Sequence, residues 1–357
     1  MAPFRGIDAN RMSPVRTPLV TVITPTYNHE RFIGPCIESV LRQSYSAWEQ
    51  IIIDDGSTDD TGKIVSAYRD PRIRYERQAN QGPFALAKTY NRALSLARGE
   101  LIAILEGDDF WPSEKLATLV PAFQDESVVL AYGERDDVHS NGVRQRRKTD
   151  TARLRQHLSD SILFNNPVGS TTRYMLLQEG RSLVHPCTVI LQRAALEAIG
   201  GFQWVSGLPL TDYPTFLELS LTGKFYFTRQ TMGYLRRHER SITARHRWMI
   251  QEAVSKFATE FLEKYADLVV LSPADRSQIE SSWREADGRA HFSEGRGLLL
   301  QKRWSAARNQ FRLASGSKSA KVRVAALAGW LFSLVHLDME PLMRLGGRAD
   351  LRVRAGE

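Results

Sequence analysis

The first 130 residues alternate between short apolar runs and helical stripes, and this alternation limits the possible folds more than any other feature. The apolar runs are Leu19–Thr24, Ile51–Ile53, Leu101–Leu105 and Val128–Tyr132. Between them, apolar residues recur at intervals of three or four, which is typical of amphipathic helices. Strands that alternate with helices of about 10–15 residues predict βαβ units and a mostly parallel sheet. The sequence therefore predicts an α/β fold with a Rossmann-like sheet.

Polar side chains follow three of these predicted strands. The segments Thr26–Asn28, Asp54–Asp55 and Glu106–Asp109 come after the first, second and third strands. Ligands of open α/β sheets bind outside the carboxyl ends of the strands. We therefore expect a binding site at this edge of the sheet.

The third segment, Glu106–Asp109, places three carboxylates within four residues. A bound divalent cation would relieve their mutual repulsion, and oxygen ligands without a neighbouring histidine or cysteine favour Mg²⁺ or Mn²⁺. Such an ion can neutralise a diphosphate leaving group. The alternative is a solvated acidic turn, in which Asp109 or Ser113 caps the helix that follows Pro112. The spacing alone leaves both interpretations open.

The second segment extends from Asp54 to Asp60 and also has two interpretations. One carboxylate could accept hydrogen bonds from a base or a ribose hydroxyl. Alternatively, Ser57 or Thr58 caps the following helix. Asp59 and Asp60 in its first turn would then interact favourably with the positive end of the helix dipole. We expect capping to account for Asp59 and Asp60.

Composition limits the class of protein. A chain of 357 residues suggests two domains, or one large domain with an appendage. Cys36 and Cys187 lack a partner motif, so we expect buried free thiols and a reducing compartment. Residues 1–18 have no apolar core and predict a mobile extension rather than a signal peptide. The longest apolar stretch, Ala325–Leu337, is shorter than the roughly 18 residues of a membrane span.

The net charge of +8 is concentrated in two stretches. Residues 289–323 contain nine lysines and arginines against Glu294 alone, and residues 144–155 contain six. Basic stretches attract phosphate-bearing partners such as an anionic membrane, although a solvated surface is the alternative. No aromatic-interleaved or zinc pattern supports recognition of nucleic acid, so none is expected as a partner.

An ordered series of motifs closely resembles the family 2 glycosyltransferases. The motifs are Val20–Asn28, Ile37–Tyr45, Asp54–Asp59, Asn80–Gly82, Gly99–Ala103, Glu106–Trp111, Gly200–Phe202, Thr211–Tyr213 and Tyr234–Ser241. This resemblance implies the GT-A fold over residues 19–245, with a donor half at 19–133 and an acceptor half at 134–245. Residues 246–357 then form a C-terminal helical region.

The resemblance also implies roles for individual residues. Asp108 takes the place of a metal-binding aspartate, and Glu106 occupies the first acidic position, where aspartate is more frequent. Asp212 matches the proposed general base, although an aspartate before an apolar helix is otherwise an N-cap. The residues implied to bind the donor are Thr24, Tyr27 and Asp55 around the base and ribose, Lys88 against the donor, and Arg236 and His238 over the diphosphate.

The implied activity is inverting transfer of one sugar from a nucleoside diphosphate sugar to an acceptor hydroxyl, in surface glycan or glycoconjugate assembly. The acceptor would be a glycan, a lipid-linked molecule or a protein. Gln301–Trp304 is one residue short of the Q-x-x-R-W motif of processive synthases, which favours single transfers. We expect a cytoplasmic enzyme with peripheral contact to the inner face of the membrane through its basic tail.

Two other functions would use a related fold. A non-catalytic nucleotide-sugar sensor or scaffold could act through the helical tail, and the glutamate at position 106 permits this. A nucleotidyltransferase also uses strand-end aspartates and a metal, but it would need a glycine-rich loop after the first strand. Pro25–His29 is not such a loop.

Overall fold

A mixed seven-stranded sheet forms the centre of the molecule. The structure is a computed structural model, and it describes residues 17–144, 155–177, 183–205 and 208–337. The strands are β1 (Val20–Thr26), β2 (Trp48–Asp54), β3 (Ile73–Arg77), β4 (Leu101–Ile104), β5 (Val128–His139), β6 (Ile190–Gln192) and β7 (Lys224–Arg237). Their order across the sheet is β3-β2-β1-β4-β6-β5-β7. The predicted extension at 1–18 lies outside the described residues except for its last two positions.

Strand pairing confirms the prediction of a mostly parallel sheet. β1 pairs in parallel with β2 and β4, β3 with β2, and β7 with β5, whereas β6 is antiparallel to both of its neighbours. β5 continues to His139, seven residues beyond the predicted end at Tyr132, because its polar second half pairs with β7. The sequence prediction did not identify β3, β6 or β7.

The described residues also contain thirteen α-helices. They are α1 (Ile33–Leu41), α2 (Thr61–Ala67), α3 (Leu86–Leu96), α4 (Lys115–Leu119), α5 (Asp160–Leu163), α6 (Ser170–Leu177), α7 (Arg193–Ala198), α8 (Asp212–Leu219), α9 (Ile242–Arg245), α10 (Arg247–Lys264), α11 (Pro273–Leu300), α12 (Trp304–Ala314) and α13 (Ala320–Leu334). As predicted, the described chain from 248 to 337 contains helices and no strand.

Alternating side chains on the strands build a core on each face of the sheet. Val20 and Val22 of β1 pack with apolar residues of α1, α2 and α4. Ile23 packs on the other face with residues of α3, α7, α8 and α10. Burial of one such side chain contributes roughly 1.5–3 kcal/mol. The two cores fix the sheet between helical layers, so its carboxyl edge is held rigidly.

Two predicted helix caps are wrong. Asp60, rather than Ser57 or Thr58, is the N-cap of α2, and the Ser57 hydroxyl instead accepts a hydrogen bond from the backbone N–H of Asn28. α4 begins after Glu114, so neither Asp109 nor Ser113 caps it. The acidic turn at 106–109 therefore has no capping role.

The basic stretch at 144–155 is partly described. Arg155 is 1% exposed and pairs with Glu134, and Arg144 pairs with Asp136 at 2.9 Å. Carboxylates of β5 thus neutralise these two guanidinium groups within the molecule. The other basic residues of this stretch lie outside the described residues.

The helical region divides between two apolar cores. α10 and the first half of α11 contribute Phe261, Ile279 and Trp283 to the core that also contains Ile23. The Trp283 indole N–H donates to the carbonyl of Leu176 at 2.9 Å. The end of α11 forms a separate small core with α12 and α13, which contains Leu298, Leu299, Ala307, Phe311, Ala314 and Ala326.

The domain boundary at 245/246 stays a prediction. Within the described residues, no helix is both long and apolar enough to cross a bilayer.

Because Trp283 belongs to the core of the sheet, its loss should destabilise the whole sheet domain. We expect Trp283→Ala to lower the free energy of unfolding by about 3–5 kcal/mol. Chemical denaturation followed by far-ultraviolet circular dichroism measures this change. The control is Leu268→Ala, since Leu268 is 67% exposed and its loss should change stability by less than about 0.5 kcal/mol. Unfolding of Trp283→Ala at the wild-type midpoint would contradict the shared core.

Candidate active site

The carboxyl ends of β1, β2 and β4 meet at one edge of the sheet. The N–H of Asp55 donates to the carbonyl of Thr26 at 2.9 Å, and the N–H of Gly107 donates to that of Pro25 at 3.0 Å. A Cβ atom at position 107 would lie 2.6 Å from the Thr26 hydroxyl oxygen and 2.9 Å from His29 Nδ1. Only glycine allows the acidic loop to pack this closely against β1.

The end of β7 crosses this edge and completes the site. Phe110 and Tyr234 form an isolated antiparallel bridge, and their rings stack with centroids 4.7 Å apart. Two residues further on, the Arg236 guanidinium donates from Nε to the carbonyl of Asp108 at 2.8 Å and from Nη1 to that of Ser140 at 3.0 Å. The bridge therefore brings a loop that is remote in sequence to the acidic cluster.

Asp108 lies between two imidazoles. Its Oδ2 is 2.9 Å from His238 Nε2 and 4.0 Å from His29 Nε2. Burial opposes ionisation of this carboxyl, but the two histidines outweigh it and hold the pKa of Asp108 below its usual value. Asp108 is therefore ionised at neutral pH.

Glu106 has the opposite electrostatic character. Burial, followed by the negative charge of Asp108, raises the pKa of Glu106 to about 8, although the hydrogen bond from Tyr90 acts against this shift. The Tyr90 hydroxyl donates to Oε1 at 2.9 Å. Glu106 therefore retains its proton at neutral pH unless a positive charge enters the site.

Asp109 orients the protein chain. It is fully buried, and its Oδ1 accepts the backbone N–H of Arg236 at 2.8 Å. Burial and the neighbouring Asp108 and Glu106 raise its pKa well above the usual value. Its Oδ2 has no hydrogen-bond partner within the part of the chain that the structure describes. Asp109 thus ties the acidic loop to the end of β7.

These three carboxyl groups fit a divalent metal. One oxygen from each of Glu106, Asp108 and Asp109 lies within 4.8 Å of the others. Hard cations take carboxylate oxygens, and a positive charge would offset the repulsion that raises the pKa of Glu106. Among the described residues, the buried Oδ2 of Asp109 lacks a hydrogen-bond partner, so it is an oxygen that a cation could use.

Asp212 belongs to the same electrostatic environment. It is the first residue of α8, and Thr211 is the N-cap, so the alternative interpretation of Asp212 as an N-cap is wrong. Burial raises the pKa of Asp212, and the backbone N–H groups of Tyr213 and Asp212 partly counter this effect. Its negative charge contributes to the raised pKa of both Glu106 and Tyr90. Asp212 is therefore close enough to Glu106 for their charges to interact, and its role as a base stays a prediction.

The residues predicted around the base and ribose lie on the β1–β2 side. Asp55 accepts hydrogen bonds from the N–H groups of Gln81 and Gly82, both at 3.0 Å, and thereby fixes the segment that begins α3. Tyr27 is 43% exposed. Thr24 is fully buried and its hydroxyl accepts from Gln50, so a donor would reach it only if neighbouring side chains moved.

Lys88 lies apart from the carboxylates. It is an exposed residue of α3, and its Nζ lies 5.5 Å from the ring centroid of Trp204. Arg236 and His238, in contrast, both contact Asp108. The donor-binding roles of all six residues stay predictions.

Two residues of the site were not identified from sequence. His29 Nε2 lies 4.0 Å from Asp108 Oδ2, and the Tyr90 hydroxyl donates a hydrogen bond to Glu106. The sequence pattern explains why both were missed. His29 directly follows the predicted polar segment Thr26–Asn28, but it was considered only as the last residue of Pro25–His29, which is not a glycine-rich loop. Tyr90 belongs to the apolar stripe of α3, where a tyrosine is indistinguishable from a core residue.

The model of the glycosyl transferase family 2 matches residues 21–200, about half of the chain. This chain belongs to glycosyl transferase family 2. The structure of the mannosyltransferase PcManGT from Pyrobaculum calidifontis in complex with GDP-Man and Mn²⁺ is similar, with a TM-score of 0.54 and 18% sequence identity. The likeness covers 90% of this chain and 82% of that one. It confirms the predicted GT-A fold.

Two relatives match about a third of the chain in sequence. Glycosyltransferase GlyG of Streptococcus pneumoniae is 37% identical over 117 residues, which are 32% of this chain and 38% of GlyG. The UDP-Glc:alpha-D-GlcNAc-diphosphoundecaprenol beta-1,3-glucosyltransferase WfgD of Escherichia coli is 34% identical over 125 residues, 35% of this chain and 49% of WfgD. The matches span less than half of either relative.

The raised pKa of Glu106 predicts that, without a bound metal, the free energy of unfolding of this protein depends on pH. Between the usual carboxyl pKa and about pH 8, the folded protein holds a proton that the unfolded chain releases. The free energy of unfolding therefore falls as pH rises, with a slope of at most about 1.4 kcal/mol per pH unit for one proton. Partial solvent access of Glu106 reduces this slope.

Melting temperatures in EDTA at several pH values measure this effect. We expect Glu106→Gln to lose less stability than wild type as pH rises from about 6 to 8, because its amide does not titrate. Glu126→Gln is the control, since Glu126 is exposed and remote from the site. Identical pH slopes for wild type and Glu106→Gln would remove Glu106 as their source.

Proposed function

We propose that this family 2 protein is an inverting glycosyltransferase that moves one sugar from a nucleoside diphosphate sugar to an acceptor hydroxyl. The observation that supports the proposal is the cluster of Glu106, Asp108 and Asp109 at one sheet edge, with Asp212 in electrostatic contact with Glu106. Asp212 would accept a proton, and Glu106 and Asp108 would hold the diphosphate end of the donor through a divalent cation. A binding scaffold needs no such base.

The donor would lie across the carboxyl edge of the sheet. Its base and ribose would contact Tyr27 and Asp55, and its diphosphate would lie toward Asp108, Arg236 and His238. The Arg236 side chain is already fixed by two carbonyls, so little conformational entropy would be lost on donor binding. Donor contacts by Thr24 and Lys88 would require movement of side chains around them.

Asp108 and Glu106 would hold Mg²⁺ or Mn²⁺, and when bound the ion neutralises charge on the departing diphosphate. His238 Nε2 lies 2.9 Å from Asp108 Oδ2 and would orient that carboxylate toward the ion. Carboxylate oxygens suit both Mg²⁺ and Mn²⁺. PcManGT, which is similar in fold, was solved with GDP-Man and Mn²⁺.

Asp212 would act as the general base. It would take the proton of the acceptor hydroxyl while that oxygen forms a bond to the anomeric carbon and the bond to the diphosphate breaks. Attack opposite the leaving group inverts the anomeric configuration. The raised pKa of Asp212 makes it a stronger proton acceptor than an exposed aspartate, and the backbone N–H groups at the start of α8 partly counter this rise.

The acceptor is proposed to belong to surface glycan or glycoconjugate assembly. The relative WfgD is named for a diphosphoundecaprenol-linked acceptor, which favours a lipid-linked acceptor over a protein or a free glycan. We accordingly place the enzyme in the cytoplasm, at the inner face of the membrane. No nucleic acid partner is proposed.

Metal dependence tests the donor site. We expect Asp108→Asn to abolish Mn²⁺-dependent binding of a nucleoside diphosphate, whereas Glu106→Gln weakens it less, because only Asp108 is ionised before the metal enters. Isothermal titration calorimetry with Mn²⁺ and with EDTA gives both affinities. Asp125→Asn is a control, since that carboxylate forms an exposed pair with Lys224. Equal affinity of the wild type with Mn²⁺ and with EDTA would rule out the metal role.

Asp212→Asn tests the general base. Turnover should fall by about 10²–10⁴-fold, while the melting temperature and donor affinity remain near wild type, because an amide cannot accept the proton. Asp160→Asn is a matched control, since Asp160 is likewise the first residue of a helix and is remote from the acidic loop. Release of nucleoside diphosphate in the presence of acceptor measures turnover. A scaffold would release none, and an Asp212→Asn enzyme with more than about a tenth of wild-type turnover would contradict the assignment.

A further inference from the structure

One face of α13 carries an exposed row of apolar side chains. Val324, Leu327, Leu331 and Leu334 are between 46% and 70% exposed. Their spacing of three, four and three places them on one side of a helix, within an arc of about 80°. The opposite side of α13 is covered, because Gly329 packs against the ring of Phe311. The helix therefore has one face in the small core and one apolar face that the described residues leave open.

The stretch of sequence that contains this row is basic. From 295 to 337 the sequence contains no aspartate or glutamate and eight basic residues: Arg296, Lys302, Arg303, Arg308, Arg312, Lys318, Lys321 and Arg323. Lys321 and Arg323 are exposed and, at about 100° per residue, flank the apolar row on opposite sides. An apolar stripe between basic flanks is the pattern of helices that lie in a membrane interface.

We propose that this face of α13 docks onto a membrane surface rich in anionic lipid. The apolar row would enter the boundary between headgroups and acyl chains, and the flanking lysine and arginine would contact lipid phosphates. An anionic bilayer satisfies both features at once. A nucleic acid would leave the apolar row in water, and a second copy of the same face would bring the same positive charges together, which is unfavourable.

Docking through α13 would fix the orientation of the enzyme. α12 and α13 have their own small core, and α11 connects that core directly to the core of the sheet. A bilayer contact would therefore hold the carboxyl edge of the sheet at a constant distance from the lipid. Its use for a lipid-linked acceptor rests on the proposed transferase function, whereas the docking itself does not.

Vesicle sedimentation of the full chain tests the docking. We expect the wild type to bind phosphatidylglycerol-rich vesicles at low salt, and to bind phosphatidylcholine vesicles or either kind at high salt at least about tenfold more weakly. The variant Leu327→Glu/Leu331→Glu should lose most of the binding to the anionic vesicles. Its matched control is Leu268→Glu/Val270→Glu, since these residues are also exposed but lie between α10 and α11. The control should bind like the wild type.

A second pair of variants separates the local charge from the net charge. Lys318→Gln/Lys321→Gln should weaken binding by about 25-fold, if each lysine near the surface contributes about fivefold. Lys63→Gln/Lys256→Gln removes the same net charge from exposed positions elsewhere and should change binding little. Melting temperatures and transfer to a water-soluble acceptor should stay at wild-type values in all four variants, so failure of docking and failure of catalysis are distinguishable.

Three outcomes would overturn the proposal. The first is absence of wild-type binding to phosphatidylglycerol vesicles at low salt. The second is a wild-type dimer, detected by sedimentation velocity, that Leu327→Glu/Leu331→Glu dissociates, because a second copy would then cover the face. The third is a melting temperature of that variant far below its control, because another part of the same chain would then cover it.

Discussion

The candidate site depends on how the protein compensates the negative charge of several carboxyl groups at one edge of the sheet. Four carboxyl groups, those of Glu106, Asp108, Asp109 and Asp212, lie where three parallel strands end. Like charges this close cannot all be ionised without compensation. The protein divides them by environment: His29 and His238 hold the pKa of Asp108 below its usual value, whereas burial and repulsion raise the pKa of Glu106 and of Asp109. A diphosphate and its counterion would therefore bind where the pKa values of neighbouring carboxyl groups already differ.

The second half of the sheet supplies that compensation. β5 and β7 extend far beyond the first strands, and the end of β7 reaches the acidic loop through the bridge between Phe110 and Tyr234. Arg236 and His238 arrive there only because of this extension. Glu106, Asp108 and Asp109 thus follow β4, whereas Arg236 and His238, which contact Asp108, come from the end of β7.

The sequence predicted the part of the fold in which local pattern and tertiary environment agree. The buried strands β1, β2 and β4 are continuous β-branched or apolar runs, and their ends carry the polar segments. β3 was missed because it is a half-exposed edge strand with charged residues, and β6 because three residues are too few for any period. β7 was missed because its polar positions are stabilised by pairing with β5 rather than by burial.

The same distinction holds for the site. Glu106 and Asp108 were predicted from three carboxylates at a strand end, whereas Asp212 was predicted from motif order alone, because its local pattern is that of an N-cap. His29 and Tyr90 depend on which side chains the fold brings together, and neither has a spacing that marks it in advance. The capping errors have a similar cause, since a polar residue near a helix start has several partners available and the tertiary contacts decide among them.

The division of α11 between two cores has a consequence for how such enzymes can be recombined. A cut after Arg245 would remove Phe261 and Trp283 from the sheet and expose the apolar surface that they cover. Such a fragment would aggregate rather than survive as a minimal catalytic module. A chimaera would instead be joined within α11, between Trp283 and Leu298, where one core ends and the next begins. The tail beyond that point is the part that can be exchanged among relatives with the catalytic body left intact.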